Sequence, residues 1–370
     1  MSDQVHWIAA ETLTAFTTDV FKGVGVPDDE ARVCADVLIT ANMRGIDSHG
    51  VSRLKPIYYD RIVEQKIQSP TTNFEIIRDH KSTAVVDGHH GMGMVIGRRC
   101  MQMAIDKARE YGTGVVVVRN STHFGMVAYY PLMAVEAGLV GFSSTNARPA
   151  IAPTFGVENM LGTNPLVFAF PTDEPFPFTN DYATSIIQRG TVELYARQGR
   201  KLPPAVVIDH DGNAKTDAQK VLQDLLDGKA AFAPIGGVGE ETGGYKGYGF
   251  ATVAEILSCA LQQGAFLKQL SGTDDGQPVP YRLGHFFMAI DIECFTELDA
   301  FKKRTGDVLR ELRASRKAPG AARIYTCGEK EYIASLERAK KGIPVDISIQ
   351  SEMIQMRDEL GLSGHSFEFE

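Results

Sequence analysis

The chain has 370 residues, 44% of them hydrophobic and 23% charged, the balance of a water-soluble globular protein. At ~100–200 residues per domain, that length allows two or three domains. A formal net charge of −8 argues against a broad nucleic-acid-binding surface, so an anionic ligand needs local basic groups.

Nothing in the sequence approaches the ~20 apolar residues of a membrane span. Residues 1–6 carry neither a basic nor an apolar leader segment, which predicts a cytoplasmic protein with no membrane partner. The cysteines (Cys34, Cys100, Cys259, Cys294 and Cys327) are odd in number and far apart, with no metal-ligand spacing. They read as buried, inert thiols in a reducing compartment.

Residues 8–22 show helical periodicity, with Ile8, Leu13, Phe16, Val20 and Phe21 on one side. Pro27 before Asp28 and Asp29 starts a second helix, over 28–43. The segment Arg44–Arg53 (R-G-I-D-S-H-G-V-S-R) follows directly, then a short helix over 50–65. A strand is expected over 81–87. Gly91, Gly93 and Gly97 then lead into a helix over 95–110. That order suggests a dinucleotide fingerprint, but the spacing is G-x-G-x-x-x-G and no acidic residue follows at the right distance, so a structural turn is the better reading.

Val115–Val118 reads as a buried strand. It delivers Asn120–Gly125 (N-S-T-H-F-G). A helix (129–137), a strand (139–145), a loop (153–165) and the strand 166–170 follow. Asn180–Ser185 opens a further helix over 184–198. Residues 200–234 are polar and turn-rich. The glycine cluster 236–249 contains Lys246 and precedes a helix over 249–270. A strand over 284–292 and helices over 296–315, 330–341 and 348–360 complete the pattern. The tail from Ser363 reads as loose. Interleaved strands and helices predict an α/β core with helical ends.

Several side chains suit chemistry. Histidine exchanges protons most easily near neutrality, and Ser48 beside His49 offers a relay. Arg53, four residues on, shares a face with His49 if 49–53 is helical, and would hold a carboxylate beside the imidazole. His123 follows a buried strand, where binding loops concentrate. Asp181 reads equally as a helix N-cap. Lys246 among glycines suits a phosphate, or is a solvated loop lysine. His89-His90 lacks a completing ligand set for a metal. No serine-hydrolase elbow and no P-loop is present.

Taken together, Arg44–Arg53, Asn120–Gly125, Leu161–Pro165 (L-G-T-N-P), Asn180–Ser185 (N-D-Y-A-T-S), Gly244–Gly249 (G-Y-K-G-Y-G) and Gly342-Ile343-Pro344 resemble the non-Rossmann malate/L-lactate dehydrogenase family over about residues 8–345. That family includes malate, sulfolactate and ureidoglycolate dehydrogenases and cyclic-imine reductases. The resemblance implies a homodimeric oxidoreductase with NAD, or alternatively NADP, bound on a mixed β-sheet of non-Rossmann topology. It implies helical dimerisation and substrate-site elements at 1–75 and 315–370, around a cofactor-binding core at 76–314.

By the same resemblance His49 is the proton donor and acceptor, Ser48 and Asp181 are its relay partners, and His123 is the rival acid. Arg53 matches the substrate carboxylate clamp, with Arg148 and Arg44 as further cations. Asn146, Asp181, Tyr182, Ala183, Lys246, Gly328 and Glu329 fall where the dinucleotide is held. Tyr182 departs from the commoner methionine, and the segments 236–244 and 270–284 are longer than usual. The expected reaction interconverts a 2-oxoacid and a 2-hydroxyacid, with malate favoured over lactate, sulfolactate, ureidoglycolate or a cyclic imine. The reading from a different class is a non-catalytic small-molecule binding protein.

Overall fold

The computed structural model of the chain describes residues 5–370; the Met1–Gln4 part of the leader reading lies outside the described residues. A seven-stranded sheet organises the molecule. Its spatial order is Glu75–His80, Thr83–Asp87, Thr113–Ser121, Leu283–Asp291, Leu139–Thr145, Leu166–Phe170, Phe178–Tyr182. Thr83–Asp87 and Thr113–Ser121 run parallel, and the other neighbours are antiparallel. That mixed pairing is not the all-parallel doubly wound arrangement of a Rossmann sheet.

The expected β-branched run forms its middle. Val116, Val117 and Val118 are buried between Thr83–Asp87 on one side and Leu283–Asp291 on the other. Helices Gly93–Tyr111 and Tyr129–Glu136 cover one face, closing a core that includes Ile96, Met101, Val118, Tyr130 and Phe287. The glycines before the first of these helices serve packing. A Cβ on Gly93 would lie 2.3 Å from the Thr122 carbonyl oxygen, and one on Gly97 would lie 2.6 Å from the Tyr130 ring. The broken fingerprint is therefore a close-packing device.

A second core joins the two ends of the chain. Leu13, Phe16 and Val20 of helix Ala10–Gly23 and Leu38 of helix Asp28–Met43 pack with Ile343, Val345, Met353, Met356 and Phe367. A third core gathers Val192, Val207, Val221 and Phe232 with Ile151, Leu161 and Ala251.

Several sequence expectations are corrected. The first helix starts at Ala10, because Ile8 belongs to a strand, His6–Ile8, paired with Ile343–Val345. The strand Glu75–His80 escaped notice because all six residues are exposed at a sheet edge, leaving no burial alternation. The helix expected over 184–198 is the shorter Arg189–Arg197, and the motif before it enters through the edge strand Phe178–Tyr182. Asp181 thus pairs with Val167 in a ladder and is not an N-cap.

The turn-rich segment 200–234 holds a paired strand couple, Val207–Asp209 with Ala230–Phe232, and helix Ala218–Leu226. Strands of three residues are too short to show a period. The helix expected over 249–270 is Gly244–Cys259, so Lys246 lies in its first turn. Cys34 and Cys100 are buried, but Cys294 and Cys327 are exposed, so the inert-thiol reading fails for those two.

The tail is ordered. Phe367 meets Phe16 edge-on at 5.2 Å, and His365 bonds Asp19 at 2.9 Å. Phe367→Ala should therefore cost about 3 kcal/mol of unfolding free energy. An unchanged midpoint in urea denaturation would show that the tail contributes nothing to the fold.

Candidate active site

The stretch Arg44–Arg53 is shaped by one asparagine. Asn42, near the end of helix Asp28–Met43, donates its amide N–H to the Asp47 carboxylate at 2.6 Å and accepts the Val51 N–H on Oδ1 at 2.8 Å. This folds Asp47–His49 and Val51–Arg53 into two 3₁₀ turns separated at Gly50. A Cβ on Gly50 would sit 2.1 Å from Asn42 Oδ1, so any larger residue would displace the Asn42 amide from both bonds. Arg338, from helix Glu329–Lys341, grips both Asp47 oxygens at 2.6 and 2.7 Å.

The α-helical face expected to join His49 and Arg53 is not formed. Arg53 instead turns back, its Nε donating to the Ser48 carbonyl at 2.5 Å. The guanidinium still lies close enough to act on His49. The short helix expected over 50–65 continues as a π turn, Leu54–Tyr59, and one α turn, Asp60–Val63.

Ser48 Oγ and His49 Nδ1 share a hydrogen bond of 2.9 Å. His123, just beyond strand Thr113–Ser121, has its Nδ1 2.7 Å from the Tyr58 hydroxyl and 3.3 Å from the Gly125 N–H. Burial keeps the Tyr58 phenol protonated, so both neighbours can donate to Nδ1 and leave the ring proton on Nε2. The two imidazoles lie stacked, centroids 6.1 Å apart and planes 18° from parallel.

Burial pushes His49 down to about 4, with Arg53 adding to the effect. Burial also pushes His123 well down, reinforced by His49, Arg61, Arg53 and His285. Both rings are therefore neutral near pH 7 in the free protein.

Ser48 and His49 open onto a cleft of about 450 Å³. Its walls include Arg44, Met126, Asp181, Tyr182, Ala183 and Gly328, with Lys330 and Glu331 at the start of helix Glu329–Lys341. Asp181 faces cleft solvent while protein surrounds it on its other sides. Desolvation pushes its carboxyl up to about 6, against the pull of the Ala128 N–H, which it accepts at 3.1 Å, and of Arg44. No hydrogen bond joins Asp181 to Ser48, so a direct relay between them is not formed.

Other expected contacts are spent elsewhere. Asn146 is fully buried; its amide nitrogen lies within hydrogen-bond reach of Glu255 and the Ala265 carbonyl, and its oxygen accepts the Gly284 N–H. Glu329 is buried and bound to Arg323 and the Thr326 N–H. Lys246 is exposed, stacked over Tyr245 and outside the cleft lining. Arg148 is exposed and lies near Arg61. Sequence reasoning missed Tyr58, Arg61 and Arg338. The 53, 58, 61 spacing, five residues and then three, marks a site only once the width of the turn is known.

The cleft suits an anionic, partly apolar ligand. Arg44 brings to it a guanidinium whose buried Nε has no hydrogen-bond partner in the protein. Gly328 caps the helix with φ +91, and a Cβ there would meet the Pro177 carbonyl oxygen at 2.5 Å.

The sequence profile described as malate/L-lactate dehydrogenase matches residues 8–354. Malate dehydrogenase of Pyrococcus abyssi is 41% identical over 357 residues, 96% of each chain. L-Sulfolactate dehydrogenase of Methanocaldococcus jannaschii is 34% identical over 345 residues, 93% of this chain and 94% of its own. The crystal structure of malate dehydrogenase from Entamoeba histolytica superposes with a TM-score of 0.93 at 41% identity, covering 97% of this chain and 99% of that one.

The depressed imidazoles make stability depend on pH. His285 behaves like the other two, pushed down to about 3 by burial. Between pH ~6.5 and ~4 the unfolded chain binds protons on these histidines that the folded chain refuses, so stability falls on acidification through that window. Asp181, raised to about 6, acts in the opposite sense over part of it. Three histidines against one aspartate predict a lower urea midpoint at pH 5 than at pH 7. Equal midpoints would mean the rings are not held neutral.

Proposed function

The chain belongs to the malate/L-lactate dehydrogenase family, and from that premise we propose that it interconverts oxaloacetate and malate with NAD. The observation that carries this reading is the stacked pair His49 and His123 beside Arg53, a proton-transfer site adjoining a carboxylate clamp.

Arg53 holds the C1 carboxylate of the substrate, fixing the reacting carbon beside the imidazoles. His49, with Nδ1 engaged by Ser48, works through Nε2. In the direction of hydroxyacid oxidation, neutral His49 accepts the hydroxyl proton. In the reverse direction it returns that proton to the developing alkoxide. A carboxylate on Arg53 cancels part of the positive field that depresses His49, so substrate binding raises the proton affinity of the ring. His123, with Nδ1 occupied by Tyr58, presents Nε2–H to the same oxygen and helps hold its charge. Ser48 orients His49, and Asp181 feeds protons from the cleft.

The nicotinamide cofactor supplies hydride chemistry when bound. Arg44, Asp181, Tyr182, Ala183 and Gly328 would hold it, with the Arg44 guanidinium as the cation for its phosphates. Arg148 is the proposed second carboxylate contact.

The helical unit 1–75 with 315–370 carries substrate-site elements and 76–314 the cofactor core, a division supported by the core shared between the chain ends. A homodimer is supported by the exposed apolar row Phe250, Val253 and Ile256 on helix Gly244–Cys259. A cytoplasmic setting accords with five unpaired thiols. Among the described residues no helix is long and apolar enough to cross a membrane.

The test is NADH and NADPH oxidation with oxaloacetate, pyruvate, sulfopyruvate and a cyclic imine. Oxaloacetate with NADH should give the highest kcat/KM. Silence with every compound would sink the dehydrogenase reading in favour of a binding protein. His49→Asn should lower kcat by ~10²–10⁴. If His123→Asn abolishes turnover while His49→Asn mainly raises KM, the proton belongs to His123.

A further inference from the structure

We propose that Arg61, seated over the Tyr281 ring beside Arg148, is a second anion-binding residue of the substrate site and selects doubly negative acids. The proposal rests on the dehydrogenase reading above and adds a specificity-determining residue to it.

The guanidinium carbon of Arg61 sits 4.2 Å from the centre of the Tyr281 ring. That ring is itself seated. It packs with Ala265, Leu270 and Leu283, and lies so close over Gly272 that a Cβ there would be 2.5 Å from it. The same ring's hydroxyl hydrogen-bonds the guanidinium, which fixes its orientation and leaves its remaining N–H donors for a carboxylate.

Arg61 also lies near the second imidazole. It follows Tyr58 by three residues, and the Tyr58 hydroxyl bonds His123. Its charge acts on His123, as does that of Arg53. On His49 only Arg53 acts among the arginines. Arg53 thus acts on both rings, and Arg61 acts on His123. A substrate whose C1 carboxylate sits on Arg53, with its reacting carbon between the rings, extends toward Arg61.

Arg61 and Arg148 are close enough to repel, and burial together with that repulsion pulls Arg61 below the ordinary arginine range. The groups that act on Arg61 besides Arg148 are two tyrosines, Tyr281 and Tyr58; no carboxylate is among them. Among the described residues neither arginine forms a salt bridge, in a chain whose 46 acidic residues outnumber its 38 lysines and arginines. Two adjacent cations without counter-ions form a field that a second substrate anion would neutralise. Carboxylate and sulfonate share that chemistry; lactate and pyruvate lack it.

The experiment compares wild type with Arg61→Met and Arg61→Lys. Arg61→Met should lower kcat/KM for oxaloacetate roughly 10–100-fold, mostly through KM, as loss of a charged hydrogen bond implies. Its kcat/KM for pyruvate should stay within about twofold, so the selectivity between the two collapses. Arg61→Lys, which keeps the charge but not the paired donors, should fall between. Sulfopyruvate separates a sulfonate preference from a carboxylate one.

Equal losses on oxaloacetate and pyruvate, or none on either, overturn the proposal. Calorimetric titration with L-malate and L-lactate gives an arm free of turnover. Malate affinity should drop in Arg61→Met and lactate affinity should not, and an unchanged malate affinity also overturns the proposal. Arg61-dependent malate binding in a wild-type protein that oxidises no NADH would instead leave the anion site standing and remove the dehydrogenase reading.

Discussion

The geometry of the cleft depends on one bidentate ion pair. Asp47 and Arg338 lie far apart in sequence, yet the pair fixes the Ser48–His49 turn against helix Glu329–Lys341. Gly328, at the start of that helix, is part of the opposite wall. The width of the cleft is therefore set by where Arg338 meets Asp47. Asp47 is 44% exposed, so the pair adds little to stability by itself. Its value is directional. Two parallel bonds, with Asn42 bound to the same carboxylate, leave the turn a single orientation. Asn42 in turn requires Gly50, so the glycine after His49 follows from the brace and not from the chemistry.

Behind this turn the site is electrically lopsided. Arg53 acts on two imidazoles whose burial already disfavours charge, Arg61 on one of them, and Arg148 lies near Arg61. The histidines respond by staying neutral. A neutral imidazole beside a cationic clamp is suited to taking a proton from a hydroxyacid. The clamp also admits the anion that makes the reverse transfer feasible. In the proposed mechanism the field that holds the bases unprotonated in the free protein is also the field that recruits the substrate. Asp181 is shifted the other way by desolvation, which puts its titration nearer neutrality than that of any histidine in the pair. A carboxyl poised there suits exchange of protons between cleft solvent and site.

Legibility in the sequence tracked how local each signal was. Helix Asp28–Met43 and strand Leu139–Thr145 were read to the residue, because their start signals and burial patterns are contiguous. The motif residues Ser48, His49 and Asp181 were also visible, since each sits in a compact string, and the structure lines one cleft with all three. Asn146 and Glu329 make contacts that no local string shows. Each lies in a motif, but its polar atoms are consumed by groups distant in sequence, such as Gly284 and Arg323. The core around Val207 and Phe232 stayed hidden because its strands are three residues long. Arg338 was illegible for the converse reason: its partner is near the other end of the chain, and a lysine-rich helix end offers no mark to distinguish it.

The π turn Leu54–Tyr59 explains the hardest miss. Reading 50–65 as an α-helix pairs residues three or four apart, which is how His49 and Arg53 came to be placed on one face. The chain instead breaks at Gly50 and then widens, and in the wide turn the bonded partner lies five residues on. Tyr58 is five residues from Arg53, and Arg61 is one ordinary helical step further. The three side chains that act on His123 are therefore spaced by a turn type that no α-period reveals. Pro56, inside this turn, has no N–H to offer an α-helical bond, which favours the wider arrangement. A local departure from helical geometry thus brings Arg53, Tyr58 and Arg61 to bear on one imidazole, and the substrate preference proposed here follows from that departure.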